Sequence, residues 1–271
     1  MTYGVIVGER GEPDKWKNER RLVRRGPGTP YRAWQTLRHL AVRDRSAAAR
    51  FLAAPYPGID RRTRLGLLVR FARITNRIRG YHTLSEMLTT ADRVFRLAGR
   101  PGLSIVEAGA GSGASTAKLS LLVKAAGGTL HVFDTFRGIP ENDEKHTLLD
   151  GTPIRFCQGA FRGRLGAVKK RVAAHGAIDV CRFHKGLLED TLPLHAPPRV
   201  DVALLDLDLV SSTRVAVETL YPRLRRGGCI VSQDGHLRAV RDLLEDPDFY
   251  ASMGLPAPPL RGDKLVVLDA P

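Results

Sequence analysis

A short glycine-rich segment is the first part of the sequence whose residue types indicate ligand binding. It reads Glu-Ala-Gly-Ala-Gly-Ser-Gly-Ala over residues 107–114. Its glycines and the serine that follows are Gly109, Gly111, Gly113 and Ser115. Glycines let the backbone turn sharply and approach a ligand closely just before a helix begins. The spacing also satisfies the G-x-G-x-x-G/A pattern of dinucleotide-binding turns, with Ala114 in the last position.

Two carboxylates near this turn indicate which ligand it binds. Glu107 lies two residues before the first glycine, where the buried strand of a dehydrogenase is usually apolar. A carboxylate there suits a ligand that carries an ammonium or sulfonium centre and no pyrophosphate. Asp134 ends a second apolar run about 20 residues later, where a carboxylate binds ribose hydroxyls. An NAD-dependent oxidoreductase is the alternative, and the position of Glu107 disfavours it.

Further acidic and amide oxygens follow two later apolar runs. Asp206 and Asp208 follow one run, and Gln233 and Asp234 follow the next. In a parallel sheet the carboxyl ends of the strands share one edge, so these oxygens are expected to converge there. Oxygen ligands suit a hard cation such as magnesium. Helix caps or turns, where Asp is also common, are the alternative interpretation.

The spacing of apolar residues predicts the elements that must hold these side chains. After Pro101, short apolar runs alternate with helical patterns. The strands are predicted at 104–108, 130–133, 180–183, 200–205 and 229–232, and the helices at 115–126, 165–175, 212–224 and 237–245. This alternation predicts an α/β fold with a Rossmann-like, doubly wound and mostly parallel sheet. Residues 264–268 can add an antiparallel edge strand.

The N-terminal part of the chain has a different pattern. The predicted helices there cover residues 32–52, 63–79 and 83–97. The third helix begins with a capping box formed by Thr83 and Glu86. We interpret residues 1–80 as a basic helical N-terminal extension that serves as a lid or an oligomer contact. Residues 81–271 then form the ligand-binding domain.

The charge of the chain is concentrated in its N-terminal part. The net charge is +15, and residues 1–100 hold 22 Lys and Arg against 8 Asp and Glu. The remaining 171 residues hold 21 basic against 20 acidic side chains. A protein that binds single-stranded nucleic acid interleaves such charges with stacking aromatic rings, which are sparse here. The pattern favours solvated helix faces or an acidic partner over nucleic acid.

The composition excludes several classes of protein. Hydrophobic residues make up 43% of the chain and charged residues 26%, as in soluble globular proteins. No apolar run approaches the roughly 18 to 20 residues of a membrane span. The three cysteines, Cys157, Cys181 and Cys229, match neither a disulfide framework nor a zinc site. Because residues 1–10 lack the pattern of a signal peptide, we expect a cytoplasmic protein.

Five segments of the sequence share one pattern. They cover residues 106–115, 133–140, 206–213, 220–224 and 227–228. Together they resemble class I S-adenosylmethionine (SAM) methyltransferases of the macrocin O-methyltransferase (TylF) type, from about residue 81 to 268. The phrase Phe-Asp-Thr-Phe-Arg-Gly-Ile-Pro at 133–140 and the block at 206–224 are the specific parts. The resemblance implies a magnesium-dependent enzyme that methylates a hydroxyl, commonly on a sugar or polyketide-derived natural product.

The resemblance also implies which residues bind the cofactor. Glu107 and the glycine turn would hold the methionine end and the ribose of SAM, and Asp134 would accept from the ribose hydroxyls. Gly186 and Leu187 would lie against the adenine. The complete cofactor-binding set is Glu107, Gly109, Gly111, Gly113, Ser115, Asp134, Thr135, Gly186 and Leu187.

The implied metal ligands are Asp206, Gln233 and Asp234. Here the sequence departs from the family, which tends to have two consecutive acids where this chain has Gln233 and Asp234. An amide oxygen is also a ligand for magnesium, but one charge fewer weakens the site. The sequence therefore predicts that magnesium binds weakly here.

Methyl transfer from a sulfonium is an in-line displacement, so alignment of the reactants supplies much of the rate. The acceptor hydroxyl also needs a base, a cation, or both. His146 and His236 are the two candidate bases, because histidine has a pKa near neutrality. Together with Asp206 they are the predicted catalytic residues. Ordinary surface or core histidines are the alternative.

The function that these residues favour is SAM-dependent O-methylation of a small molecule. Methylation of nitrogen, a carboxylate or RNA is an alternative. A catalytically inactive SAM-fold partner protein is another, and Gln233 lends it some weight. We expect a small-molecule acceptor and neither nucleic acid nor a membrane as partner, while a homo-oligomer remains open.

Overall fold

The computed structural model describes residues 6–7 and 44–271 of the chain. Its helices are α1 (Arg45–Ala53), α2 (Arg61–Arg77), α3 (Leu84–Phe95), α4 (Ala114–Ala126), α5 (Leu165–His175), α6 (Leu188–His195), α7 (Val210–Leu220), α8 (Arg238–Glu245) and α9 (Pro247–Ser252). Its strands are β1 (Ile6–Val7), β2 (Ser104–Ala108), β3 (Thr129–Asp134), β4 (His146–Thr147), β5 (Pro153–Arg155), β6 (Cys181–Lys185), β7 (Val200–Leu205), β8 (Leu224–Ser232) and β9 (Val266–Asp269). The helix predicted at 32–52 lies largely outside the described residues; within them, α1 begins only at Arg45, with non-helical Asp44 as its N-cap, and ends at Ala53.

Six strands form the central sheet, in the order β6-β3-β2-β7-β8-β9. The first five strands are parallel and β9 is antiparallel at the edge. The predicted doubly wound α/β fold, with its antiparallel edge strand, is confirmed. The strand order switches direction between β2 and β7, the place where ligands bind in such sheets. A second, small antiparallel sheet has the order β1-β5-β4.

The register of the central strands brings the predicted site residues to one edge. Ala108 pairs with both Phe133 and Leu205, and Leu205 pairs with Ser232. The residues that follow these strands are therefore neighbours at the carboxyl edge. A different register between these strands would move the glycine turn out of line with the acidic segments.

Some elements differ from the prediction. The helix predicted at 212–224 ends at Leu220, and Tyr221–Arg223 form a short 3-10 turn that contains Pro222. Helix α6 was not predicted, because Pro193 within it removes a backbone donor and weighs against a helix. Helix α9 and the pair β4–β5 were also not predicted.

The core lies on both faces of the sheet. One cluster joins α1, α2 and α3 to α4 and to one face of the sheet, and its members include Phe71, Val94 and Leu122. The other cluster lies under α6, α7 and α8 and includes Val106 and Ile230. All five residues of β2 are buried, as expected for a central parallel strand. The first cluster therefore contains residues from both sides of the predicted boundary at residue 80.

The predicted capping box of α3 is confirmed. The Glu86 backbone N–H donates to Thr83 Oγ1 at 3.2 Å, and the Thr83 N–H donates to Glu86 Oε2 at 2.7 Å. The cap fixes the direction from which the link between α2 and α3 enters the helix. Among the described helices, none is both long and apolar enough to span a membrane.

Candidate active site

A cleft of about 1450 Å³ opens at the carboxyl edge of the sheet. Its walls are the turn after β2, the segments after β3, β6, β7 and β8, and the link between α2 and α3. The cleft thus lies at the switch in strand order, which is where the sequence pattern predicts a ligand.

The glycine turn is held in place by Asp134 at the end of β3. Asp134 Oδ2 accepts the N–H groups of Ala110 at 2.7 Å and Gly111 at 3.0 Å, and Oδ1 accepts the Phe136 N–H at 2.5 Å. Burial raises the pKa of Asp134, although these N–H groups favour its charged form. A Cβ on Gly109 would lie 1.9 Å from the Asp206 carbonyl oxygen, so only glycine allows this approach.

Most of the predicted cofactor residues surround one part of the cleft. The predicted cofactor residues that line the cleft are Gly109, Gly111, Ser115, Asp134, Thr135, Gly186 and Leu187. Gly113 lies just behind the wall as the left-handed N-cap of α4, with φ of 85°. The structure therefore brings together residues from the turn after β2 and the ends of β3 and β6.

Glu107 lies in the middle of the sheet, behind the glycine turn. The side chain is fully buried, and neither carboxylate oxygen has a hydrogen-bond partner among the described residues. Burial raises its pKa to about 7. A buried carboxylate with no partner is costly, and Glu107 is not itself one of the residues that line the cleft.

The acidic residues after β7 and β8 form the opposite wall. Asp206, Asp208, Gln233 and Asp234 all line the cleft. Asp234 Oδ2 accepts the N–H groups of Leu207 at 2.8 Å and Asp208 at 3.1 Å. Burial and the charge of Asp234 raise the pKa of Asp206 to about 8 and that of Asp208 well above its ordinary value. This wall therefore concentrates negative charge.

A lysine side chain that the sequence pattern does not predict at the site lies at this wall. Lys264, from the segment before β9, places Nζ 3.2 Å from Glu86 Oε1 and donates to the Tyr81 carbonyl at 3.0 Å. Its charge lowers the pKa of Asp206, against the larger effect of burial. The contact ties the α2–α3 link to the far edge of the sheet, 183 residues away in sequence, and no local sequence signal predicts it.

The α2–α3 link is also tied to α4. His82 and Lys118 are both buried, and Lys118 Nζ lies 2.8 Å from His82 Nε2. Burial, followed by the charge of Lys118, lowers the pKa of His82 well below its ordinary value. Neutral His82 therefore accepts from the lysine and holds the link beside the cleft.

The two candidate bases lie in different surroundings. His236 lines the cleft, and its Nδ1 lies 3.2 Å from the Gln233 carbonyl oxygen. His146 is buried outside the cleft wall, with Nε2 3.2 Å from Glu144 Oε2. Burial lowers the pKa of both rings. The charge of Asp234 acts on both rings, but of the two histidines His236 is the one that lines the cleft.

The structure does not assemble a dense metal-binding cluster. Within the described residues, no group of three or more His, Cys, Asp or Glu side chains has the geometry to hold a metal ion. The predicted set contains only two such side chains, Asp206 and Asp234, and the amide of Gln233.

The parallel doubly wound sheet, with a glycine turn and a carboxylate at the end of the next strand, defines a class I methyltransferase fold. The chain matches the macrocin O-methyltransferase (TylF) family over residues 61–267. The protein belongs to this family, as the sequence resemblance indicates.

Individual relatives agree with this assignment. The chain is 33% identical over 153 residues to the 8-demethyl-8-(2,3-dimethoxy-α-L-rhamnosyl)-tetracenomycin-C 4'-O-methyltransferase of Streptomyces olivaceus. The match covers 55% of this chain and 58% of that relative, so the chain spans little more than half of the relative's length.

Two solved structures share the fold. The O-methyltransferase NovP has a TM-score of 0.59 at 20% identity, over 88% of this chain and 99% of that chain. The calicheamicin methyltransferase CalS11 has a TM-score of 0.54 at 20% identity, over 90% of this chain and 94% of that chain.

Proposed function

We propose that the protein is a SAM-dependent O-methyltransferase that methylates a hydroxyl of a sugar or another natural-product intermediate. The observation that carries the proposal is that one continuous cleft joins the turn held by Asp134 to the acidic wall and His236. Membership of the TylF family supports it, as does the relative whose name describes methylation of a rhamnosyl hydroxyl. The free thiols of Cys181 and Cys229 support the cytoplasm as its compartment.

The part of the cleft formed by the glycine turn and the ends of β3 and β6 fits SAM. Gly109 and Gly111 leave room for the backbone to approach a ligand, and Asp134 Oδ1 retains capacity for a ribose hydroxyl. The buried charge of Glu107 favours a cationic ligand beyond the turn. When bound, SAM supplies a methyl group that its sulfonium centre activates for transfer. Leu187, which is 39% exposed, offers an apolar surface that suits an adenine ring.

We propose His236 as the proton acceptor. A carbonyl oxygen only accepts hydrogen bonds, so the proton of neutral His236 lies on Nδ1, which donates to Gln233. Nε2 is then the basic nitrogen. Because burial lowers the pKa of the ring, the ring is neutral near pH 7, and its buried Nε2 would take the proton of a hydroxyl that is brought against it. His146 instead lies against Glu144, outside the cleft wall.

Asp206, Gln233 and Asp234 would hold magnesium. Two carboxylates and one amide match the donors that Mg²⁺ takes beside its water ligands, and a bound cation would favour the ionised form of Asp206, whose pKa is raised by burial and then by the charge of Asp234. A bound cation would acidify and orient the acceptor hydroxyl.

Gln233→Asp tests the metal site directly. This substitution restores the second acid, so we expect magnesium to bind about tenfold more tightly to the variant than to the unsubstituted protein, as measured by calorimetry with the metal alone. Gln233→Glu adds the same charge but keeps the side-chain length of glutamine, so it separates the effect of charge from that of length. Equal magnesium affinity in all three proteins would contradict the metal site.

The proposed function is tested by ligand binding and then by turnover. We expect S-adenosylhomocysteine to bind the purified protein in calorimetry, with and without magnesium. Labelled SAM should then transfer its methyl group to 8-demethyl-8-(2,3-dimethoxy-α-L-rhamnosyl)-tetracenomycin C or to simpler rhamnosides, and mass spectrometry should locate it on oxygen. Tight binding of NADH without binding of S-adenosylhomocysteine would overturn the proposal.

A further inference from the structure

The segment that follows β7, residues 206–211, contains one residue with a left-handed backbone conformation. Asp208 has φ of 64°, a left-handed conformation that is uncommon for a residue other than glycine. Such residues persist where neighbouring contacts over-determine them, and they concentrate at functional sites. Asp208 also lines the cleft, so the contacts that hold it shape the acidic wall.

Every backbone N–H of this segment has a partner. Asp206 donates to Ala108 and Leu209 donates to Leu207. Leu207 and Asp208 donate to the carboxylate of Asp234. The remaining two groups, those of Val210 and Ser211, donate to the carboxylate of Glu144 at 2.7 and 3.1 Å.

Glu144 reaches this segment from a different part of the fold. It belongs to the loop between β3 and β4, 66 residues before Val210. One oxygen binds each N–H at the start of α7, where the positive end of the helix dipole also favours a carboxylate. Burial would raise the pKa of Glu144, but the hydrogen bonds from Ser211 and Val210 lower it. The side chain is therefore ionised at neutral pH.

Just beyond β4, the turn that leads to β5 forms part of the cleft wall. Leu148 and Leu149 line the cleft, and the Leu149 N–H donates to the His236 carbonyl at 3.1 Å. Glu144 thus joins the β3–β4 loop to the segment that carries Asp208, while Leu149, on the other side of β4, contacts the segment that carries His236. The chain from Glu144 to Leu149 therefore contacts both segments of the acidic wall.

We propose that Glu144 is a positioning residue, which acts through the cap of α7 to hold Asp208 and the acidic wall in the arrangement needed for methyl transfer. This inference rests on the proposed function. Glu144 does not line the cleft and is not a catalytic residue. Glu144 makes no hydrogen bond to the glycine turn, which Asp134 holds.

Hydrogen–deuterium exchange tests the physical contact without any acceptor. In Glu144→Gln the amide keeps one accepting oxygen and loses the other, and in Glu144→Ala both are lost. We expect the amides of Val210 and Ser211 to exchange about tenfold faster in Glu144→Gln, and faster again in Glu144→Ala. The matched control is Glu141→Gln, an exposed residue of the same loop, which should leave exchange unchanged.

Ligand binding and kinetics separate positioning from general stability. We expect the affinity for S-adenosylhomocysteine to stay within twofold in both Glu144 variants. With the acceptor of the transfer assay, kcat should fall about tenfold or more while KM for SAM changes less than twofold, since small misplacements of reacting groups cost that much. Glu144→Ala should lose more than Glu144→Gln.

Three results would overturn the proposal. The first is unchanged exchange at Val210 and Ser211, and the second is a kcat equal to that of Glu141→Gln. The third is faster exchange across the whole sheet with weaker binding of S-adenosylhomocysteine, which would mean that Glu144 acts on stability alone. Failure of the unsubstituted protein to bind S-adenosylhomocysteine would instead contradict the proposed function, and the exchange result would still decide the contact.

Discussion

At the scale of single residues, the buried carboxylate of Glu107 links protonation to ligand binding. With a pKa raised by burial to about 7, this group is mostly protonated at pH 6 and mostly ionised at pH 8. A ligand with a positive centre favours the ionised form. Binding therefore displaces a proton below pH 7, and affinity falls as the pH falls through 7.

We expect S-adenosylhomocysteine to bind about tenfold more weakly at pH 6 than at pH 8. Calorimetry at the two pH values measures the difference. Glu107→Gln provides the control, because its amide does not titrate and its affinity should vary little with pH. The same pH dependence in the variant would show that another group is responsible.

Asp134 has two roles, because it holds the glycine turn and also offers an acceptor to the ribose of the ligand. Its carboxylate accepts three backbone N–H groups, so its removal loosens the glycine turn and deletes an acceptor for the ribose. We expect Asp134→Ala to weaken binding of S-adenosylhomocysteine by about 1–3 kcal/mol. Asp143→Ala, which removes an exposed carboxylate, should bind normally. A folded Asp134→Ala protein with unchanged affinity would contradict this role.

At the scale of elements, α3 depends on the cap at its first turn. Thr83→Ala removes the oxygen that accepts the Glu86 N–H, and we expect the free energy of unfolding to fall by about 0.5–2 kcal/mol. Chemical denaturation measures this change. Thr89→Ala is the matched control, since Thr89 is exposed in the middle of the same helix. Equal effects of the two substitutions would show that the cap contributes nothing of its own.

At the scale of the whole molecule, the described part of the positive N-terminal charge lies largely on α2, whose one aromatic side chain, Phe71, is buried. The exposed arginines of α2 are Arg61, Arg62, Arg70, Arg73 and Arg77. Arg64 differs from them, because it is buried and donates to the Phe51 carbonyl at 3.0 Å. Long charged side chains of this kind are well solvated, so the charge does not by itself form a nucleic-acid site.

We therefore expect no micromolar binding of single-stranded RNA or duplex DNA at physiological salt. Fluorescence anisotropy with labelled oligonucleotides across a range of salt concentrations measures this. Micromolar affinity with a steep salt dependence, as produced by neutralised phosphates, would contradict the prediction and favour a nucleic-acid substrate.

Local patterns in the sequence were sufficient for many elements. The bounds of β2, β7 and α5 follow from apolar runs and helical spacing, and the capping box of α3 follows from Thr83 and Glu86. The glycine turn and Asp134 were also recognisable, because each depends on residue types within a short segment. Helix α6 was missed for a local reason, since Pro193 weighs against a helix that burial of Leu188 and Leu192 nevertheless stabilises.

The contacts that build the acidic wall were decided only by the tertiary structure. Glu144 and Val210 are 66 residues apart, and Lys264 and Tyr81 are 183 residues apart. Sequence spacing contains no signal for such pairs, because they form only after the sheet register and the crossing loops bring distant segments together. The same holds for the two histidines, which look equivalent in sequence. Packing buried His146 against Glu144 and left His236 on the wall of the cleft.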